Sequence, residues 1–382
     1  MSQESTDSPT RLSRRELAKV ALGGAAGLTL LTSSKSALAV VRPQPLGIKL
    51  GSSGPAEPTD EDLLFFKQLG VDVVQCSVGG RPELNSVEGL LKIKKRYADA
   101  GLTLHNVRNL PVTNNRIDCV LNGPGRDADI ANYKTWLRNV GGAGLHYTLT
   151  NFNVAQVVTS ALVETRGSRT RAFDVNAPKM GLPQASAPRG LNIMGGPKDN
   201  LYGREYTREE IWANLISFLK EVMPVAEEAG VIIGLHPDDP PVPSLFGVPR
   251  VLWSLDDYTK LFSTINSPNL GICLCVGTWA QGGAAMGIDP AGAIRYFGGI
   301  NRIHEIHYRN VSSTQPHFHE TYVDDGYYDM YKAMKALVDV KYNGVVHLDH
   351  AVPMVGGNRT YEAFAMGYMK AMRQRALAGN DA

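Results

Sequence analysis

Four side chains able to hold a metal ion sit at the ends of four short apolar runs. The runs are Val231-Ile232-Ile233-Gly234-Leu235-His236, Leu270-Gly271-Ile272-Cys273-Leu274-Cys275, Ile303-His304-Glu305-Ile306-His307 and Val345-Val346-His347-Leu348-Asp349. Two imidazoles, a thiolate and a carboxylate make a borderline donor set, suited to Mn²⁺, Fe²⁺, Co²⁺ or Zn²⁺ rather than Mg²⁺ or Ca²⁺. A single His at such a place is more often a hydrogen-bonded structural residue, and a single Cys more often core. Four ligand residues at equivalent ends of consecutive runs point instead to one metal centre formed by His236, Cys275, His307 and Asp349.

Side-chain parity sharpens this expectation. Residues two apart on a strand share a face. Cys273 and Cys275 share one, as do Glu305, His307 and Arg309, and His347 and Asp349. The opposite parity is mostly Ile, Leu and Val, suited to packing under helices. The polar parity therefore faces an enclosed interior, where charges need partners or a metal. His304 has the outward parity and reads as structural. Cys273 and Cys76 read as core, and Cys119 has no assignable role. His317-Phe318-His319 reads as a solvated loop.

Strand-like runs alternate with helical patterns from residue 46 onward. Strands are expected at 46–51, 71–78, 102–110 and 145–152, and from 231, 270, 303 and 345. Helices are expected at 59–70, 86–101, 127–144, 207–230, 255–265, 289–298, 329–341 and 360–378. The helices at Thr59 and Thr207 open with a Thr followed three residues later by an acidic residue, the pattern of a capping box. Gly101 and Gly230 are helix stops. Eight strand–helix units predict an α/β protein with a closed (β/α)8 TIM barrel, whose C-terminal face carries the active site. Residues 153–206 break the rhythm with many Gly, Pro and Arg, and read as a lid or a subunit contact. A contact there would suit a homodimer.

The chain has 382 residues, 43% of them hydrophobic, enough for one large barrel. A formal net charge of +2 and no basic stripe after the first 40 residues argue against a nucleic-acid partner. Four cysteines do not make a disulfide framework. At the N-terminus, Ser13-Arg14-Arg15-Glu16-Leu17-Ala18-Lys19 resembles a twin-arginine export motif. A weakly apolar run at 20–31 follows, then the cleavage pattern Ala37-Leu38-Ala39. The expected organisation is a signal peptide at 1–39 and one catalytic domain at 40–382, exported to the periplasm by the twin-arginine machinery.

The segment His236-Pro237-Asp238-Asp239-Pro240-Pro241, followed by Leu245-Phe246-Gly247-Val248-Pro249-Arg250, resembles the signature of the D-mannonate dehydratase family. That family belongs to the xylose-isomerase-like TIM barrels. Leu274-Cys275-Val276-Gly277-Thr278, Ile306-His307-Tyr308-Arg309-Asn310-Val311, Phe318-His319-Glu320-Thr321 and Leu348-Asp349-His350 resemble its further motifs in order. The resemblance implies one divalent ion, Mn²⁺ first with Fe²⁺ or Co²⁺ as substitutes, held by His236, Cys275, His307 and Asp349. It implies His350 and Tyr361 as the catalytic pair and Arg309 as the holder of a substrate carboxylate. The implied reaction converts D-mannonate to 2-keto-3-deoxy-D-gluconate and water.

Two segments depart from the family pattern. Where the family has Glu-Ser-x-Pro-Val-His, this chain reads Val107-Arg108-Asn109-Leu110-Pro111-Val112-Thr113. Where it has Arg-Pro-Asp-His, this chain reads His347-Leu348-Asp349-His350. These departures keep a second reading open: an exported metal-dependent isomerase, epimerase or lyase for an uncharged or oxidised sugar. A non-catalytic carbohydrate-binding protein is a third reading, which His350 and Tyr361 oppose. Asp238 and Asp239 are expected to brace their Pro-rich loop.

Overall fold

The computed structural model describes residues 47–379, apart from 80, 114, 115, 180–197 and 201. The expected export segment lies outside the described residues.

Eight parallel strands form one sheet: β1 (Lys49–Pro55), β2 (Val73–Ser77), β3 (Thr103–Arg108), β4 (Tyr147–Thr150), β7 (Ile232–Leu235), β10 (Leu270–Cys275), β11 (Ile303–Tyr308) and β13 (Val345–Leu348). Their spatial order is β3-β2-β1-β13-β11-β10-β7-β4. The seam between β3 and β4 carries no ladder pairing among the described residues, but His105 and Tyr147 stack across it with ring centroids 5.1 Å apart. The barrel is thus nearly closed. The first strand runs later than the expected 46–51.

Among the described residues, eleven α-helices accompany these strands: α1 (Asp60–Leu69), α2 (Val87–Asp99), α3 (Leu110–Thr113), α4 (Ile117–Leu121), α5 (Arg126–Gly142), α6 (Arg208–Glu228), α7 (Leu255–Thr264), α8 (Val276–Gly282), α9 (Pro290–Gly299), α10 (Met330–Asp339) and α11 (Asn358–Leu377). Local chemistry sets their ends. Thr59 with Asp62, and Thr207 with Glu210, form complete capping boxes. Gly70 stops α1 at φ 60°, a left-handed conformation that suits a residue without Cβ. In α6, Ile211, Leu215, Phe218, Leu219 and Val222 are buried, which is the apolar stripe of a helix packed on a core.

The strand parity is as expected. Ile272, Leu274, Ile306 and Tyr308 join the large core between sheet and helices. Cys273 has the other parity and packs with Tyr147 and Leu149 in a separate cluster. Inside the barrel, Tyr147 fills the space over Gly234, where a Cβ would stand 2.2 Å from its hydroxyl oxygen.

The irregular stretch contains structure that its periodicity does not reveal. Strands β5 (Ala161–Thr165) and β6 (Ser168–Asp174) make an antiparallel hairpin. A third strand, β12 (His317–His319), pairs with β6 and corrects the loop expected for His317-Phe318-His319. Phe318 is buried and stacks on Phe173 at 5.4 Å, so a long-range apolar pair holds the strand. A further two-stranded ribbon joins β8 (Ser244–Leu245) to β9 (Val248–Pro249) beyond the loop that follows β7.

Candidate active site

The C-terminal ends of β7, β10, β11 and β13 bring four ligand-type side chains together. Ligand atoms of His236, Cys275, His307 and Asp349 all lie within 4.8 Å of one another. Cys275 and His307 are register partners on adjacent strands, and His307 pairs in turn with His347. Asp349 follows β13 directly.

The donor chemistry of the cluster fits a divalent cation. His236 Nδ1 lies 2.7 Å from the Pro237 carbonyl, which fixes that nitrogen as the donor and leaves Nε2 with a free lone pair. His307 Nδ1 stands 3.1 Å from Asp349 Oδ1, yet neither ring nitrogen of His307 has a hydrogen-bond partner. Burial pushes the Cys275 thiol up, but the Arg309 guanidinium outweighs it and brings the thiol down to about 6. The sulfur also caps α8, accepting the Thr278 amide at 3.3 Å. Burial opposes the Asp349 carboxylate too, and His350, His307 and Arg309 together hold it well below the usual range. The cluster therefore presents a thiolate and a carboxylate beside two imidazoles. Burial opposes the charged form of His307, but Cys273 and Asp349 hold it well above its ordinary range, so a cation bound there would displace a ring proton.

Arg309 is committed within the protein. Its Nε donates to Asp349 Oδ2 at 2.8 Å, and a terminal nitrogen reaches Asp239 Oδ2 at 2.5 Å and Thr278 Oγ1 at 3.1 Å. The Gln281 amide, oriented with its oxygen toward Arg309, accepts from the remaining terminal nitrogen at 2.8 Å. Arg309 is 2% exposed. It is a brace and a fixed positive charge behind Asp349 and Cys275, not an open fork toward the cavity. Gly277 makes this possible, since a Cβ there would stand 2.5 Å from Arg309 Cγ.

The two acids after His236 divide their work. Asp238 is 1% exposed and accepts the Val251 and Leu252 amides at 3.0 and 2.9 Å and the Asn153 amide at 2.8 Å. It also faces Arg250 at 3.4 Å, so it braces the loop. Asp239 reaches the cluster only through Arg309.

His350 sits at the rim with 19% of its side chain exposed. Its Nδ1 donates to Glu320 Oε1 at 2.5 Å, and its Nε2 lies 3.6 Å from Asp349 Oδ1. Glu320 is gripped by Arg171 through contacts of 3.0 to 3.2 Å. Burial would raise the Glu320 carboxyl, yet Arg171 and then His350 keep it ionised, well below the usual range. Arg171 comes from β6 and Glu320 directly follows β12, so the small added sheet supplies the support for His350.

Tyr361 is buried on α11 against Tyr322 and Phe364, at 5.8 and 6.3 Å between ring centroids. Burial first, and then the Glu320 charge, hold its hydroxyl above the usual phenol range. Glu320 is in electrostatic reach of both His350 and Tyr361.

Residue reasoning does not assign Glu320, Arg171, Thr278 or Gln281 to the site. The Phe-x-Glu motif is a signal for Glu320, but its partner Arg171 is 149 residues away on a hairpin with no periodic signature.

Comparison with known proteins finds relatives over most of the chain. The family model described as D-mannonate dehydratase (UxuA) matches residues 60–378. The mannonate dehydratase of Streptococcus suis (strain 05ZYH33) is 33% identical over 281 residues, covering 69% of this chain and 74% of the relative. That of Thermotoga maritima is 32% identical over 287 residues, covering 69% and 77%. The crystal structure of mannonate dehydratase from Streptococcus suis serotype 2 superposes with a TM-score of 0.73 at 28% identity, over 88% of this chain and 95% of that one. A xylose isomerase domain protein from Planctomyces limnophilus has a TM-score of 0.57 at 13% identity, over 87% and 99%, a likeness of fold alone.

Proposed function

The chain belongs to the D-mannonate dehydratase family, and on that premise we propose that it is a metal-dependent hydro-lyase converting D-mannonate to 2-keto-3-deoxy-D-gluconate and water. The observation that carries this reading is the meeting of two assemblies on one barrel face. One is the cluster of His236, Cys275, His307 and Asp349, and the other is His350 backed by Glu320 and Arg171.

The difficult step in such a dehydration is loss of the proton beside a carboxylate, because negative charge builds on the oxygens around that carbon. A divalent ion held by the four ligands, Mn²⁺ first and Fe²⁺ or Co²⁺ as substitutes, supplies Lewis-acid stabilisation of that charge. His350 is the group with access to take the C2 proton on Nε2. The Glu320 carboxylate accepts from its Nδ1, which fixes the tautomer with Nε2 as the base and stabilises the imidazolium that follows. Arg171 keeps Glu320 charged and in place. Arg309 holds Asp349 and contributes positive charge beside the cluster. Tyr361 is the proposed donor to the departing C3 hydroxyl. Its support is narrower: a hydroxyl kept protonated, beside the same carboxylate that orients His350.

One observation favours a second reading. The commitment of Arg309 leaves it unavailable to a substrate carboxylate, which suits a metal-dependent isomerase or epimerase of an uncharged sugar. Incubating metal-loaded protein with D-mannonate and, separately, with an uncharged ketohexose decides between them. A 2-keto-3-deoxy acid from the first supports dehydration. Epimeric sugar from the second, with D-mannonate untouched, replaces it.

We also propose that residues 1–39 are a twin-arginine signal peptide and that the mature enzyme is periplasmic. The support is the twin-arginine motif at Arg14-Arg15 and the Ala37-Leu38-Ala39 pattern. N-terminal sequencing of periplasmic protein tests this, with Val40 as the expected first residue.

A further inference from the structure

Beneath the four-ligand cluster, the barrel interior holds a second set of donors. Cys273 lies two residues before Cys275 on β10, and Glu305 two before His307 on β11, and Cys273 and Glu305 are register partners. Ligand atoms of Cys273, Glu305 and His307 lie within 4.8 Å of one another. Glu305 is 0% exposed, and the imidazoles of His307, His105 and His347 face its carboxylate. The Tyr147 hydroxyl borders the same space, within reach of the Glu305 carboxylate. His347, the register partner of His307 on β13, places Nδ1 2.6 Å from the Leu348 carbonyl and has no partner for Nε2.

This is an unusual filling for such a barrel, whose interior is normally layered with branched apolar side chains. A carboxylate this deep is costly, and interior charges are ordinarily paired or bound to metal. The ring of His307 spans the two sets. Its Nδ1 is 3.1 Å from Asp349 Oδ1 above, and its Nε2 is 3.9 Å from Glu305 Oε1 below.

We propose that Cys273, Glu305 and His307 Nε2 form a second divalent-cation site, with the His307 ring bridging it to the upper cluster. The thiolate–imidazole–carboxylate set suits Zn²⁺, Fe²⁺ or Co²⁺. Ligation displaces the Cys273 thiol proton and the second ring proton of His307. A cavity of about 450 Å³ at the opposite end of the barrel is lined by Lys49, His105, Ile303, Tyr342 and Val345 among others, and His105 on its wall also faces Glu305. The role is structural and electrostatic. An ion there fixes His307 from below and adds positive charge beneath the reaction centre. The proposal does not depend on which sugar the upper site turns over.

The test is metal content of the full chain after loading with Co²⁺ or Zn²⁺ and dialysis, together with anomalous diffraction at the absorption edge of the same metal. The expected result is two ions per chain and two anomalous peaks flanking His307. Glu305→Gln and Cys273→Ser each lower the count to one, keep the peak among His236, Cys275 and Asp349, and retain native circular dichroism. A single ion per chain in the unaltered protein overturns the proposal. So do two ions that survive both substitutions. If the unaltered protein binds one ion and Glu305→Gln merely weakens it, Glu305 is a hydrogen-bonding support for His307 and the second site does not exist.

Discussion

Replacing Glu320 by Gln isolates what the supporting carboxylate does. The substitution keeps size and an acceptor oxygen but removes the charge between His350 and Arg171. The His350–Glu320 contact is 2.5 Å long, and the Glu320 side chain is 8% exposed, so solvent screens it little. A hydrogen bond to a charged group of this kind is worth about 1.5–3 kcal/mol. The imidazolium that Glu320 stabilises forms only as the C2 proton moves, so the loss falls on kcat. At about 1.4 kcal/mol per factor of ten, the expected decrease is about 10- to 150-fold. Arg171 loses its ion-pair partner as well. It remains 26% exposed, so the stability cost falls below the about 3–5 kcal/mol of a fully buried broken pair. The assay is the initial rate of 2-keto-3-deoxy acid formation from D-mannonate, with metal content measured on the same sample. Glu320→Ala, which removes the acceptor too, gives a loss at least as large. A kcat within twofold of the unaltered enzyme, or a loss matched by lost metal, refutes the positioning role.

Arg309→Lys keeps the charge but not the fork to Asp349 and Asp239, so metal affinity falls about 10- to 100-fold while KM at saturating metal stays near its original value. A raised KM with metal retained would make Arg309 a substrate ligand instead, and metal titration with parallel kinetics reads the difference. The Cys275 thiol, brought down to about 6, is already a thiolate above that pH. Metal affinity is therefore insensitive to this group above about pH 6 and falls as pH drops through it, an expectation that metal titrations across pH 5–8 check. His304 is held at about 4, chiefly by burial, below the ordinary value of 6.5. The unfolded chain then binds the extra proton first, so this residue contributes stability above 6.5 that is lost as pH falls toward 4. Denaturant midpoints of His304→Leu show correspondingly less acid sensitivity in that window. Gly234→Ala puts a methyl group 2.2 Å from the Tyr147 hydroxyl oxygen and lowers stability by about 1–3 kcal/mol. Adding Tyr147→Leu restores part of that loss in thermal melts if the clash is its cause.

The parts of the fold that are legible in sequence are those governed by local period. Runs such as Leu270–Cys275 and Ile303–Tyr308 carry both the strand signal and the parity that separates core from interior. That parity is enough to bring His236, Cys275, His307 and Asp349 to one place, since parallel strands share their C-terminal face. Glu320 and Arg171 are not legible in the same way. Their partnership requires β12 to pair with β6 across the chain, and neither strand announces its partner in sequence. Arg309 shows a different limit. Sequence places it on the right face, but its neighbours Asp239, from the loop after β7, and Thr278 and Gln281, from α8, decide what remains of its hydrogen-bonding capacity. Glu305 and Cys273 share the parity of the metal cluster. Only their depth, one strand row lower, separates a core thiol and a stray acid from a second donor set.

The account rests most directly on a comparison of D-mannonate turnover by Mn²⁺-loaded enzyme and by His350→Asn, with metal content measured in both. The predicted result is 2-keto-3-deoxy-D-gluconate from the unaltered enzyme, and a variant that keeps its metal but loses about 10²- to 10⁴-fold in rate, the range for removing a general base. Fully metallated unaltered enzyme that leaves D-mannonate unconsumed would contradict the dehydratase account, and equal rates in the two proteins would contradict the part played by His350.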